Sequence, residues 1–179
     1  MSATIFHETQ ALAQAAMAAA QPQHPAAPRE CLTFRVGGEA YGIDILQVQE
    51  IRSYERPTRM AGAAPFINGV INLRGVIVPI FDLRLYFELP DARYDGSTVV
   101  VVLNLGDKVI GAVVDSVSDV MQLQADQVKP MPGLHGPARA NHILGIASIE
   151  RPGDPRMVIL IDIEALLLEA HAEQAALAA

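Results

Sequence analysis

Phe34-Arg35-Val36-Gly37-Gly38-Glu39-Ala40-Tyr41-Gly42 lines up with Leu103-Asn104-Leu105-Gly106-Asp107-Lys108-Val109-Ile110-Gly111. Each stretch is an apolar run, a glycine turn and a second run that ends on glycine. The correspondence continues along the chain. Val48-Gln49-Glu50-Ile51 answers Val117-Ser118-Asp119-Val120, and Ile67-Asn68-Gly69-Val70 answers Ile143-Leu144-Gly145-Ile146. Ile80-Phe81-Asp82-Leu83 then answers Leu160-Ile161-Asp162-Ile163. Four blocks in one order are the trace of a duplicated supersecondary unit, and the offset drifts from about 69 to about 80 residues as loop insertions would make it drift. Two similar small units imply two packed subdomains with a groove between them, where a partner can bind.

The units read as β-structure. Val76–Phe81, Val99–Leu103, Val109–Val114 and Met157–Ile161 are short apolar runs rich in β-branched residues. Turn chemistry bounds them at Gly37-Gly38, Asp95-Gly96, Gly106-Asp107 and Arg151-Pro152-Gly153-Asp154-Pro155. Many short strands with regular turns point to an all-β sandwich or to barrels. Pro79 cannot donate to a ladder, so an edge or a bulge is expected there. Short helices are expected at Leu83–Phe87 and from Ile163 onward, at matching places in the two copies. Residues 1–29 differ from the rest. Ala11–Ala20 favours helix by propensity but offers little bulk to bury. Pro22, Pro25 and Pro28 end any helix, so a flexible Ala/Pro-rich extension is expected.

Composition excludes several classes. A net charge of −7 lacks the basic footprint of a nucleic-acid binder. The same acidity disfavours an anionic membrane surface. No apolar run approaches the ~20 residues of a membrane helix, and no basic region precedes Arg29, so a cytoplasmic protein is expected. The one cysteine, Cys31, opens an apolar run and reads as a small core residue. His7, His24, His135, His142 and His171 show no metal-ligand spacing. Nucleophile elbow, Cys–His pair and Walker lysine are all missing, so an enzyme is not expected.

Arg74 is the sharpest local feature. It interrupts the apolar stretch Asn68–Pro79, and the corresponding place in the second copy is held by Ile149-Glu150. A duplicated unit with arginine in one copy suggests a task for that arginine, beside the plainer reading of an exposed turn residue. Glu50 is its expected partner at the rim of the groove, in a pair that orients more than it stabilises, at about 0–1 kcal/mol.

Tyr41–Ile51, Pro65–Arg84, Val99–Gly106 and Gly111–Val120 together resemble the CheW family of chemotaxis coupling proteins, over about residues 31–168. The resemblance implies two intimately packed five-stranded SH3-like β-barrels about a shared core, with short helices including a C-terminal one. On it the domain spans 30–170, with a first barrel at 31–94, a second at 95–162 and a C-terminal helix at 163–175. It implies an adaptor without enzymatic activity or cofactor, cytoplasmic and recruited to membrane-associated receptor arrays, a monomer when free. The implied partners are the chemoreceptor cytoplasmic tip and the regulatory domain of the histidine kinase CheA. By position, Val48, Glu50, Gly69, Arg74, Val117 and Val120 would face the receptor, although barrel packing accounts for each valine equally well. Ile45, Ile51 and Tyr54 would meet the kinase from the first barrel, Lys129 and Leu134 from the second. The last two depart from the commoner Arg and Phe, which would weaken that contact unless the kinase carries compensating changes. The runner-up is a CheW-like coupling protein of a non-flagellar pathway, such as pilus motility.

Overall fold

Nearly every apolar run bounded by turn residues is a strand in the computed structural model, which describes residues 30–131, 142–150, 152–153 and 155–177. The expected N-terminal extension, Leu134 and His135 lie outside the described residues. In chain order the strands are β1 (Glu30–Val36), β2 (Glu39–Asp44), β3 (Val48–Ser53), β4 (Ile67–Leu73), β5 (Val76–Asp82), β6 (Val99–Leu105), β7 (Lys108–Val114), β8 (Ser116–Gln122), β9 (Val128–Lys129), β10 (Ile143–Ile149) and β11 (Arg156–Ile161). Two α-helices, α1 (Leu83–Tyr86) and α2 (Ile163–Leu177), follow β5 and β11.

The strands form two sheets. One has the order β3-β6-β7-β5-β4, the other β8-β1-β2-β11-β10-β9. Replacing each strand by its repeat counterpart turns the first order into the second. The short β9 then corresponds to the single bridge in which Thr58 and Val70 exchange backbone hydrogen bonds of 3.0 and 2.9 Å. Neither sheet keeps to one side of the expected division at residue 95. Hairpin β1–β2 of the first copy joins the sheet of the second through β8 and β11, and hairpin β6–β7 joins the first through β3 and β5. Each sheet is therefore built from both copies, and the copies have exchanged hairpins.

The exchange explains the unbroken apolar run in β6, which is buried on both faces as a strand between two cores must be. Val100 and Val102 point into the core of their own sheet with Val78, Ile80 and Val113. Val101 and Leu103 point the other way, into a large core shared by both sheets with Phe34, Ile43, Phe81 and Ile110. A third cluster, Cys31, Met121, Ala147, Val158 and Leu160, fills the six-stranded sheet. Helix α2 seals the shared core with Leu166, Leu167 and Ala170. Its Gln174 side chain accepts from the Ala64 amide at 2.5 Å.

Two local features have physical causes. Pro79 lies in an interior strand, not at the expected edge or bulge. It pairs with Val70, whose amide and carbonyl both turn away to Thr58, so Pro79 also faces away from β4. On that far side the pairing of β5 with β7 begins only at Ile80, so the missing N–H leaves no bond unmade. Gly69 and its counterpart Gly145 both have positive φ, 135° and 159°. A Cβ on Gly69 would strike the Thr58 carbonyl oxygen, and one on Gly145 would come within 2.7 Å of that of Lys129. Gly69→Ala is therefore expected to break the Thr58–Val70 bridge and to cost about 3 kcal/mol in urea unfolding, near the upper end for point mutants. A loss below about 0.5 kcal/mol would show that the loop simply moves aside.

Candidate functional site

The β4–β5 hairpin closes with two residues, Arg74-Gly75, between the paired Leu73 and Val76. Both have positive φ, 50° and 88°, the pattern of the primed turns that match strand twist. Such a position favours Asn or Gly; an arginine there costs roughly 1–2 kcal/mol. The corresponding residue of the β1–β2 turn, Gly37, carries no such strain at its φ of 61°. The Asn72 side chain steadies the turn by accepting from the Gly75 amide at 2.7 Å.

The unfavourable backbone places the Arg74 guanidinium against Glu50 of β3. Arg74 Nη2 donates to Glu50 Oε2 at 2.9 Å. Because β3 and β4 are opposite edges of one sheet, this pair and the bridge from Thr58, in the segment after β3, to Val70 of β4 tie one edge of the sheet toward the other. The Arg74 side chain is 74% exposed and that of Glu50 22%, so the carboxylate is anchored and the guanidinium is presented to solvent. Arg52 stands 3.7 Å from the other Glu50 oxygen. Val76 and Ile77, beside the turn, are large aliphatic side chains more than half exposed.

The remaining expected site residues fall into distinct settings. Val48 and Val117, at matching positions of β3 and β8, are half-buried and both rest on the shared core. Val120 stands 53% exposed on β8, as does its counterpart Ile51 on β3 at 44%. Gly69 is buried beneath Thr58 and acts through the backbone. Ile45 begins a short 3-10 turn whose start is capped by the Asp44 carboxylate accepting from the Leu46 amide at 2.9 Å. Tyr54 stacks on Tyr94 with ring centres 4.5 Å apart. Lys129 is exposed on the two-residue strand β9, in the other sheet from Ile51; Ile45 lies in the turn between β2 and β3, and Tyr54 just beyond the end of β3.

A buried charge network went unread in the sequence. Arg84, 2% exposed, donates from Nε and Nη2 to the two oxygens of Asp82 at 2.9 and 2.8 Å. Its Nη1 donates to Asp115 Oδ1 at 3.1 Å and to the Arg93 carbonyl at 2.5 Å. The other Asp115 oxygen accepts from the Gly37 amide at 2.7 Å. Asp115 lies between β7 and β8, where the chain passes from one sheet to the other, so the network pins that crossover. Burial pulls the Arg84 pKa down, but the hydrogen bonds and charges of Asp82 and Asp115 outweigh it and hold the guanidinium above its ordinary range. The copy comparison carried the signal: Asp82 matches Asp162, whereas Arg84 matches Glu164. Arg84, like Arg74, is thus an arginine present in one copy only, a feature it shares with Arg35 opposite Asn104.

Burial pushes the Cys31 thiol up to about 12, aided by the charge of Asp44. Burial and then the hydrogen bond to Asp82 push the Tyr94 phenol up to about 12. Both groups keep their protons in the fold beyond the ordinary values of 9.0 and 10.0 at which the unfolded chain releases them. Their contribution is thus whole below those values and is lost as pH rises toward 12. Urea midpoints are expected to fall across that window, less steeply in Tyr94→Phe; a flat profile would contradict the assignment. The same burial predicts that Cys31 resists alkylation at pH 8 until the protein unfolds.

Two curled sheets around a shared core, with exposed aliphatic side chains and a strained, solvent-facing arginine on their edges, define a β-sheet module built for protein contacts. Residues 30–171 match the model of the CheW-like domain. The chain is 50% identical to the chemotaxis protein CheW of Klebsiella aerogenes, over 78% of this chain and 81% of that one. It is 34% identical to a probable chemotaxis protein CheW of Rhizobium etli, over 82% and 92%. The crystal structure of the scaffolding protein TtCheW from Thermoanaerobacter tengcongensis superposes with a TM-score of 0.68 at 27% identity, covering 82% of this chain and 92% of that one. The chain belongs to the CheW family, and as a member it is a coupling adaptor of chemotaxis.

Proposed function

We propose that this protein joins the cytoplasmic tips of chemoreceptors to the regulatory domain of the kinase CheA, without catalysing a reaction itself. The observation that carries this reading is the Arg74 turn. A backbone strain of roughly 1–2 kcal/mol is tolerated to present a guanidinium whose pair with Glu50 is worth only about 0–1 kcal/mol to the fold. Strain that stability does not repay points to a partner. The receptor face comprises Glu50 and Arg74 as charged anchors, with Val48, Val117 and Val120 as aliphatic contacts for a helical hairpin. Gly69 keeps the Thr58 loop close beneath this face. The kinase contacts are Ile45, Ile51 and Tyr54, in and around β3, and Lys129 with Leu134 from the later part of the chain.

Coupling requires different contacts in the receptor's two signalling states, since only differential affinity shifts an equilibrium. Individual contacts are modest, and repetition in an array supplies avidity. The proposed site of action is the cytoplasm. Among the described residues no helix is long and apolar enough to cross a membrane. The test is reconstitution of receptor cytoplasmic fragments, CheA and this protein, with kinase autophosphorylation as readout. Receptor-dependent kinase activity only in its presence supports the proposal. Failure to bind either partner overturns it.

A further inference from the structure

The loop that follows β3 is basic in an acidic protein. Beyond the end of β3 it carries Arg56 and Arg59 against the single acid Glu55, with Arg52 near the end of β3 itself, whereas the whole chain has a net charge of −7. Among the described residues neither Arg56 nor Arg59 takes part in a salt bridge. Arg84 nearby is neutralised by Asp82 and Asp115, so Arg56 and Arg59 are the uncompensated charges.

These two side chains line a chain of adjoining pockets. Arg56 and Arg59 flank a pocket of about 220 Å³ with Tyr54, Pro57, Asn68 and Tyr94. Arg59, Asn68 and Tyr94 continue into a second pocket of about 260 Å³ that reaches Met60 and Leu85. On the other side Arg56 and Pro57 are shared with a third, of about 210 Å³, that reaches Arg52 and Asn72. The fields of Arg56 and Arg59 reach the Tyr54 phenol, where they oppose the upward push of burial and of Asp82. The floor between the two arginines is the stacked Tyr54–Tyr94 pair, held from beneath by the Arg84 guanidinium, 4.6 Å from the Tyr94 ring centre.

We infer that this groove binds an acidic, extended segment of a partner protein, with Arg56 and Arg59 each taking a carboxylate and the tyrosine pair supplying the apolar floor between them. Three contiguous pockets sharing residues suit a length of peptide better than one small anion. Guanidinium forks recognise carboxylates in two-point geometry. An acidic segment is repelled by a chain of net charge −7 and is steered to this basic loop. Tyr54 also stands in the kinase-facing set proposed above. The inference goes beyond that assignment and does not rest on it, and its test contains no kinase.

The experiment is a fluorescence-anisotropy titration of the full protein into a labelled octapeptide of alternating glutamate and valine at low salt. Binding is expected, weakened about tenfold in Arg56→Gln/Arg59→Gln, which corresponds to about 1.4 kcal/mol. The matching glutamine–valine peptide is expected to bind about tenfold more weakly than the glutamate one, by the same conversion. Both arginines are exposed, so the double variant keeps its fold, verified by an unchanged urea midpoint. Arg35→Gln, on the exposed side of β1, is the control and leaves binding unchanged. Equal binding of the two peptides, or an equal loss in the control, overturns the inference as unspecific charge attraction. Displacement of the peptide by an equimolar amount of inorganic phosphate overturns it in favour of a small-anion site.

Discussion

Arg84→Met is expected to destabilise the fold by about 3–5 kcal/mol, because it leaves a buried carboxylate without its counter-charge. Asp82 is fully buried, and Arg84 occupies both of its oxygens. With Arg84 gone, Asp82 retains the Tyr94 hydroxyl, at 2.7 Å, the backbone amide of position 84, at 3.0 Å, and the long Asn68 side-chain amide contact, at 3.4 Å. Those neutral donors do not balance a full charge in a dry setting. The loss should propagate to Asp115 and through it to the Gly37 turn, loosening the crossover between the sheets. For a domain of ordinary stability this removes a large part of the total. Urea unfolding measures it. Asp82→Asn combined with Arg84→Met should recover part of the loss, since the unpaired charge is then removed as well. A single-variant loss under about 1 kcal/mol would mean that water already reaches the pair.

Arg74→Asn is expected to do the opposite: a large loss of coupling with almost no loss of stability. Asparagine tolerates the left-handed backbone at this position better than arginine does, which relieves about 1 kcal/mol. The lost pair with Glu50 is exposed on one side and contributes about 0–1 kcal/mol. The two changes nearly cancel, so the urea midpoint should stay within about 1 kcal/mol of the parent. Receptor-dependent kinase stimulation should fall about tenfold or more if the guanidinium makes a charge-assisted contact to the receptor. Arg74→Lys keeps the charge but not the planar fork, so an intermediate level is expected. A double-mutant cycle with Glu50→Gln should show that the pair is coupled in signalling and nearly silent in stability. Full coupling by Arg74→Asn would remove the functional reading of the strained turn.

The contrast between these two arginines shows how far the sequence could be read. Both sit in one copy of a duplicated unit, opposite Glu150 and Glu164 in the second. Arg74 stood out because it interrupts an apolar stretch, and the nearest acidic residue on the matching edge, Glu50, proved to be its partner. Arg84 sits at the start of a short helix, where a charged residue attracts no notice. Its partner Asp115 lies 31 positions away, and only the crossover of the chain brings the two together.

Strand positions, the repeat and the family were legible in the sequence alone, because alternation, turn glycines and β-branched runs are local properties of a few consecutive residues. The placing of Val48, Val117, Ile51 and Val120 at matching points of β3 and β8 followed from the repeat in the same way. Which sheet each hairpin joins was decided by the tertiary structure. Hairpins β1–β2 and β6–β7 are near-copies, so either could complete either sheet by its own pattern. The three-residue turn Ile45–Gln47 carries the chain out of the six-stranded sheet into the five-stranded one, which commits β1–β2 to the sheet of the second copy. Strand pairing across such distances depends on loop geometry and on burying both faces of β1 and β6 at once, and neither is written in any local window of the chain.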